Sequence, residues 1–230
     1  MSESKGKLIV IDGTDGSGKG TQSAKLIERL IRDGRRAELT DFPQYGQSSA
    51  YFVEKYLRGE YGSAEEVGPR RASLFYALDR YDASFQMREW LTNGTIIVSN
   101  RYTSSNMGHQ AGKIAEPKER EEFLAWLKQL EYDMLRIPKP DANILLFIPP
   151  EIGQQLVDQK LERAYTKGKK RDIHEADLEH LRHASQVYLE VAKKEGWDVI
   201  HCVEKDGVTV REREAIHEEL YQLLKKRGVI

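Results

Sequence analysis

Lys7-Leu-Ile-Val-Ile-Asp-Gly-Thr-Asp-Gly-Ser-Gly-Lys-Gly-Thr21 decides how the rest of the chain is read. Leu8 to Ile11 is an unbroken apolar run dominated by β-branched residues, the pattern of a strand covered on both faces of a parallel sheet. Glycines follow at positions 13, 16 and 18, then Lys19, then Leu26, Ile27, Leu30 and Ile31 at helical spacing. Strand, glycine loop, lysine and helix is the arrangement that a phosphate-binding loop requires. Gly13, Gly16 and Gly18 let backbone N–H groups turn toward an anion with no Cβ in the way. The helix N-terminus adds partial positive charge, and Lys19 adds a full one for the β- and γ-phosphates. The expected ATP-binding set is therefore Gly13, Gly16, Ser17, Gly18, Lys19, Gly20 and Thr21. The competing reading is a glycine turn before an ordinary helix, and the flanking strand and helix argue against it.

Length and composition narrow the class. The 230 residues fit one α/β domain able to bury a sizeable core, with a lid expected at about 160–172. A net charge of −1, with 32% charged residues, excludes a general electrostatic grip on nucleic acid, so any anion site is local. Cys202 is the only cysteine, so no internal disulfide forms and a reducing, cytoplasmic setting is expected. Met1 to Lys5 leads into a short strand and not into a signal sequence. No apolar run approaches the roughly 20 residues that a bilayer span needs, so no membrane partner is expected.

Further along, apolar stretches alternate with helical ones. Ala37–Phe42, Thr95–Ser99, Ala142–Ile148 and Val199–Val203 read as strands. Between them, helices are predicted over 49–57, Pro69–Leu91, Glu119–Leu135, Ile152–Leu161, Asp177–Lys193 and Glu212–Lys226. That alternation predicts a three-layer α/β fold, a five-stranded parallel sheet with helices on both faces and ligands at the carboxyl ends of the strands. The glycine loop, Phe42-Pro43 and Asn100-Arg101 all fall at such ends.

A second constellation narrows the chemistry. Tyr76 and Arg80 stand four apart on one helix face, and Asn100-Arg101-Tyr102 closes the third strand. An aromatic ring beside guanidinium groups suits a nucleobase and its phosphate, because the ring stacks and the guanidinium takes phosphate oxygens in pairs. On spacing alone, Arg80 reads equally well as an ion pair with a nearby carboxylate. His109 and His174 have no second ligand at metal spacing and read as packing or hydrogen-bonding residues.

Five landmarks in order resemble the thymidylate kinases, within the nucleoside-monophosphate kinases. They are the loop at 12–22, Phe42-Pro43, Tyr76-Ala-Leu-Asp-Arg80, Asn100-Arg101-Tyr102-Thr-Ser-Ser105-Asn106 and Asp172-Ile-His-Glu175. The G-S-G-K-G-T run, with its hydroxyl at Thr21, also occurs in adenylate-kinase-like enzymes. The resemblance implies transfer of the γ-phosphate of ATP to dTMP, with Mg2+. It implies that Asp15 bonds the acceptor 3′-hydroxyl, Tyr76 stacks on thymine, Arg80 meets base or phosphate and Arg101 holds the acceptor phosphate. Phe42, Ser105, Asn106 and His109 complete the acceptor site. Gly16 stands where one branch of the family has an Arg, so basic lid residues, Arg163 and Arg171 first, then Lys167, Lys169 and Lys170, are implied to replace it. Lys19, Arg101, Asp15, Arg163, Arg171 and Glu175 make up the implied catalytic set.

Two positions depart from the family pattern. Asn100 stands where the family has Asp, and Gln44-Tyr45 lacks the Arg that some members carry after the Pro. An amide still accepts a hydrogen bond from metal-bound water, and Thr21, Asp12, Asp15 or Glu175 are the implied magnesium partners. The alternatives are a kinase for dUMP, UMP or another pyrimidine monophosphate, or a nucleotide-binding paralogue that has lost catalysis. Family members pair as homodimers through the long helix, where Phe75, Leu78, Phe85 and Leu91 face either a partner or the core.

Overall fold

The computed structural model describes residues 5–158 and 178–230. In order these are β1 (Leu8–Asp12), α1 (Lys19–Arg32), β2 (Ala37–Asp41), α2 (Tyr51–Leu57), α3 (Ala64–Val67), α4 (Pro69–Thr92) and β3 (Ile96–Asn100). There follow α5 (Thr103–Ser105), α6 (Pro117–Lys128), β4 (Ala142–Phe147), α7 (Pro150–Asp158), α8 (Leu178–Glu195), β5 (Asp198–His201) and α9 (Arg213–Lys226). The five strands form one parallel sheet in the order β2-β3-β1-β4-β5.

β1 lies at the centre of that sheet, and all five of its residues are buried. Successive side chains point to opposite faces. Ile9 and Ile11 therefore pack with Leu26, Leu30, Leu220 and Leu224 beneath α1 and α9. Leu8 and Val10 pack on the other face with Met87, Ile97 and Tyr102. Burying each such side chain contributes about 1.5–3 kcal/mol. The edge strand β2 is only half covered, so it shows none of the continuous burial of β1.

Two local features depart from the sequence expectation. The helix predicted over Glu119–Leu135 stops at Lys128 and widens through Gln129–Met134, which carries Glu131 fully into the interior. The helix α3 was not anticipated, although Ser63 and Glu66 form a capping box: Glu66 N–H donates to Ser63 Oγ at 3.1 Å and Ser63 N–H to Glu66 Oε2 at 2.7 Å. On α4, Leu78 and Phe85 face outward. Phe75 instead stacks on Phe52 at 6.0 Å, and Leu91 packs into the core beside Met87.

Candidate active site

The loop between β1 and α1 is shaped by its closest neighbours. At Gly16, φ is +82°, and a Cβ there would come within 2.2 Å of the Gly153 carbonyl oxygen on α7. Only glycine satisfies both the left-handed backbone and that approach. Lys19 is 7% exposed, and its ammonium donates to the Thr14 carbonyl oxygen at 2.8 Å.

Asp12, at the end of β1, has both carboxylate oxygens committed. It accepts from the Gly13 N–H at 2.8 Å, from Ser105 Oγ at 2.9 and 2.8 Å, and from the Tyr188 hydroxyl at 3.0 Å, with Ser104 Oγ on its second oxygen. Asp12 therefore clasps β1, the glycine loop, α5 and α8 together. Burial, then the Asp12 charge, pushes the Tyr188 phenol well above its ordinary pKa, so it remains a hydrogen-bond donor.

Arg101 directly follows β3 with φ 65°, a left-handed backbone at a non-glycine residue. Its N–H donates to the Ile11 carbonyl oxygen at 3.0 Å, which pins that turn against β1. The guanidinium bonds Asp15 through Nη2, and Nη1 lies 3.3 Å from His109 Nε2 and 3.7 Å from Asp12 Oδ1. Burial works against this charge, but Asp15, followed by Asp12 among the nearby groups, outweighs it and holds the Arg101 pKa well above its usual value. Lys19 Nζ lies 3.7 Å from the same Asp15 oxygen, Oδ1. One carboxylate oxygen thus sits between the cation of the phosphate loop and the cation at the end of β3.

These groups open onto a cleft of ≈ 620 Å³. Asp15, Gly16, Gly18, Lys19, Gly20, Thr21, Phe42, Tyr76, Arg80, Arg101, Ser105, Asn106 and His109 all line it. Gly13 and Ser17 lie behind the lining; the Gly13 carbonyl oxygen is 3.5 Å from Arg101 Nη1, and Ser17 is buried. Phe42 packs against Tyr102 at 5.7 Å, and the turn after it is tied to α4 by Gln44 N–H donating to Asp79 Oδ2 at 2.9 Å. Tyr76 meets the buried Tyr56 edge-on at 6.3 Å. Arg163, Arg171, Glu175, the other basic residues of 160–171 and His174 lie outside the described residues.

Arg80 is 1% exposed, and its guanidinium grips Glu131 with two bonds, Nε to Oε2 at 2.7 Å and Nη2 to Oε1 at 2.5 Å. Thr103 Oγ1 also donates to Glu131 Oε2 at 2.9 Å, and Asn106 Nδ2 lies 3.4 Å from Oε1. Glu131 thus orients the two residues, Arg80 and Asn106, that the sequence reading assigned to the base. It escaped that reading because only the widened turn at its position brings it inward.

Asp41, Tyr45, Asn100 and Gln110 also line the cleft. Asp41 and Asn100 are partners in the register of β2 and β3, and Asn100 Nδ2 donates to Asp41 Oδ1 at 2.8 Å. That leaves Asn100 Oδ1 buried with no hydrogen-bond partner among the described residues. The only sequence signal for Asp41 was its place at the end of a strand beside the loop.

A lysine-bearing glycine loop that shares one cleft with an arginine at the end of the neighbouring strand defines a P-loop phosphotransferase. The family model for thymidylate kinase matches residues 11–212. Thymidylate kinase from Mycobacterium tuberculosis is 32% identical over 191 residues, covering 83% of this chain and 87% of that protein. The human thymidylate kinase is 32% identical over 147 residues, 64% of this chain and 63% of its own length. The solved structure of thymidylate kinase from Candida albicans superposes with a TM-score of 0.74 at 19% identity, covering 98% of this chain and 93% of that one, which establishes the shared fold. The chain belongs to the thymidylate kinase family.

Proposed function

We propose that this protein transfers the γ-phosphate of ATP to dTMP, giving dTDP and ADP, within a single domain. The observation that carries this reading is the meeting of Lys19 and Arg101 on one oxygen of Asp15. The glycine loop is suited to the donor phosphates and Arg101 to the acceptor phosphate, so the two anions would face each other where Asp15 now bridges the cations. Phe42, Tyr76, Arg80, Ser105, Asn106 and His109 are the proposed acceptor-site residues, with Asp15 toward the sugar.

In the reaction an acceptor phosphate oxygen bonds to the γ-phosphorus while the bond to the β-bridging oxygen breaks and ADP leaves. A phosphate monoester has a second pKa of about 6, so the attacking oxygen is already anionic at neutral pH and needs no general base. Rate then comes from alignment and from cations that follow the moving charge. Lys19 and Arg101 would supply two of them, and Arg163 and Arg171 are the proposed further ones.

Magnesium, when bound with ATP, neutralises phosphate charge and bridges the β- and γ-oxygens. The unpartnered Asn100 Oδ1, beside the Asp41 carboxylate and Thr21, suits hydrogen bonds to the water shell that Mg2+ retains. Asp12, with both oxygens committed, is less suited to it, and Glu175 is a further candidate. The single, buried Cys202 agrees with a cytoplasmic setting, and no described helix is long and apolar enough to cross a membrane.

The test is a turnover panel of nucleoside monophosphates with ATP, read by ADP release. The expected result is the highest kcat/KM for dTMP. A clear preference for UMP or another monophosphate, or ATP binding without transfer to any of them, would overturn the assignment.

The proposed assembly is a homodimer formed through α4. Leu74, Leu78, Tyr81 and Phe85 recur along one face of that helix and are 38%, 47%, 37% and 58% exposed. A stripe of that kind on a soluble surface suits burial against a second copy. Sedimentation is expected to give a dimer for the parent chain and a monomer for the Leu78→Glu, Phe85→Glu double variant; a monomeric parent would refute the dimer.

A further inference from the structure

Behind the proposed base end of the cleft sits a charge that the reaction does not use. Lys113 follows the widened turn Asn106–Gln110, and its ammonium donates to Gln110 Oε1 at 2.8 Å and to the Tyr56 hydroxyl at 2.7 Å. Its Nζ also lies 5.4 Å from the centre of the Tyr56 ring. Among the described residues no carboxylate pairs with it. A buried ammonium without a counter-ion is costly, and burial pushes its pKa down to about 7. A lysine tolerated there against that cost calls for a role.

Gln110 provides one. It is 1% exposed, it lines the cleft, and its carboxamide has one accepting and one donating end. A charged ammonium can only donate, so Lys113 holds the Gln110 oxygen toward itself. A neutral Lys113 has one lone pair, and the Tyr56 phenol is placed to donate to it, so Lys113 still donates to Gln110. In either state the amino end, Nε2, is what Gln110 offers to the cleft. Among the described residues Nε2 donates to no protein acceptor.

We propose that Lys113 is a positioning residue that locks the Gln110 carboxamide with its N–H donors toward the base, so that the cleft accepts a pyrimidine with a carbonyl edge and disfavours one with an amino group there. The lock favours thymine and uracil equally and discriminates against cytosine, which meets donor with donor. It rests on the pyrimidine acceptor proposed above. Tyr56 also packs edge-on against Tyr76, so Lys113 braces the proposed stacking ring as well.

The test measures kcat and KM for dTMP, dUMP and dCMP, with ATP and Mg2+, in the parent chain and in Lys113→Met, which keeps the stem and removes the donor. Lys113→Gln, whose own amide turns either way, serves if the methionine variant fails to fold; thermal melting checks both. In the folded variant the dTMP:dCMP ratio of kcat/KM is expected to fall about tenfold, through KM more than kcat, with the dTMP:dUMP ratio unchanged. A merely structural lysine would move all three substrates together. A parent that phosphorylates no pyrimidine monophosphate overturns the proposed function. A parent that prefers dTMP, with a folded variant whose dTMP:dCMP ratio stays within about twofold, overturns the role of Lys113 alone.

Discussion

Lys19→Ala lowers kcat/KM for phosphoryl transfer by about a thousandfold, or ~4 kcal/mol of transition-state stabilisation. The ammonium lies at the mouth of the glycine loop, buried and aimed at the point where Asp15 and Arg101 converge. No other described cation lies on that side of Asp15, so nothing replaces it there. The effect falls on the chemical step more than on ATP affinity, since the backbone N–H groups of the loop still cradle the phosphates. The fold survives, because the lysine makes one neutral hydrogen bond, to the Thr14 carbonyl, and its loss releases a buried charge. Steady-state kinetics beside thermal melting checks this. Turnover within tenfold of the parent, in a folded variant, would remove Lys19 from the mechanism.

The layered fold was legible in the sequence because its strongest signals are local. Leu8–Ile11 could only be a covered strand, and glycine, lysine and helix followed in the one order that makes a phosphate loop. The cleft residues were legible as positions, since strand ends and helix faces follow from period. Their partners were not. Glu131 comes inward on a widened turn that no hydrophobic period announces, and it lies 51 residues from Arg80. Lys113 reads as a solvated charge until Tyr56 and Gln110 close around it. Asp12 was a possible metal ligand until Ser104, Ser105 and Tyr188 took its oxygens. Side-chain pairing across long separations is a tertiary property, and it decides which charges are left to meet a ligand.

The pair formed by Arg80 and Glu131 separates stability from function. Glu131→Ala leaves a guanidinium buried with no counter-charge, a loss of about 3–5 kcal/mol. For a chain of this length that lowers the melting temperature by roughly 10 °C. Arg80→Met in the same background removes the stranded charge, and replacing a buried ion pair by apolar side chains is close to neutral. The Arg80→Met, Glu131→Leu double variant should therefore melt near the parent temperature. Its KM for dTMP should nevertheless rise at least about tenfold, because it lacks the guanidinium at the cleft wall and the carboxylate that orients Asn106. Melting measured beside dTMP kinetics in the single and double variants makes the distinction. Recovery of both stability and KM in the double variant would make Arg80 a core residue only, with the base read by its neighbours.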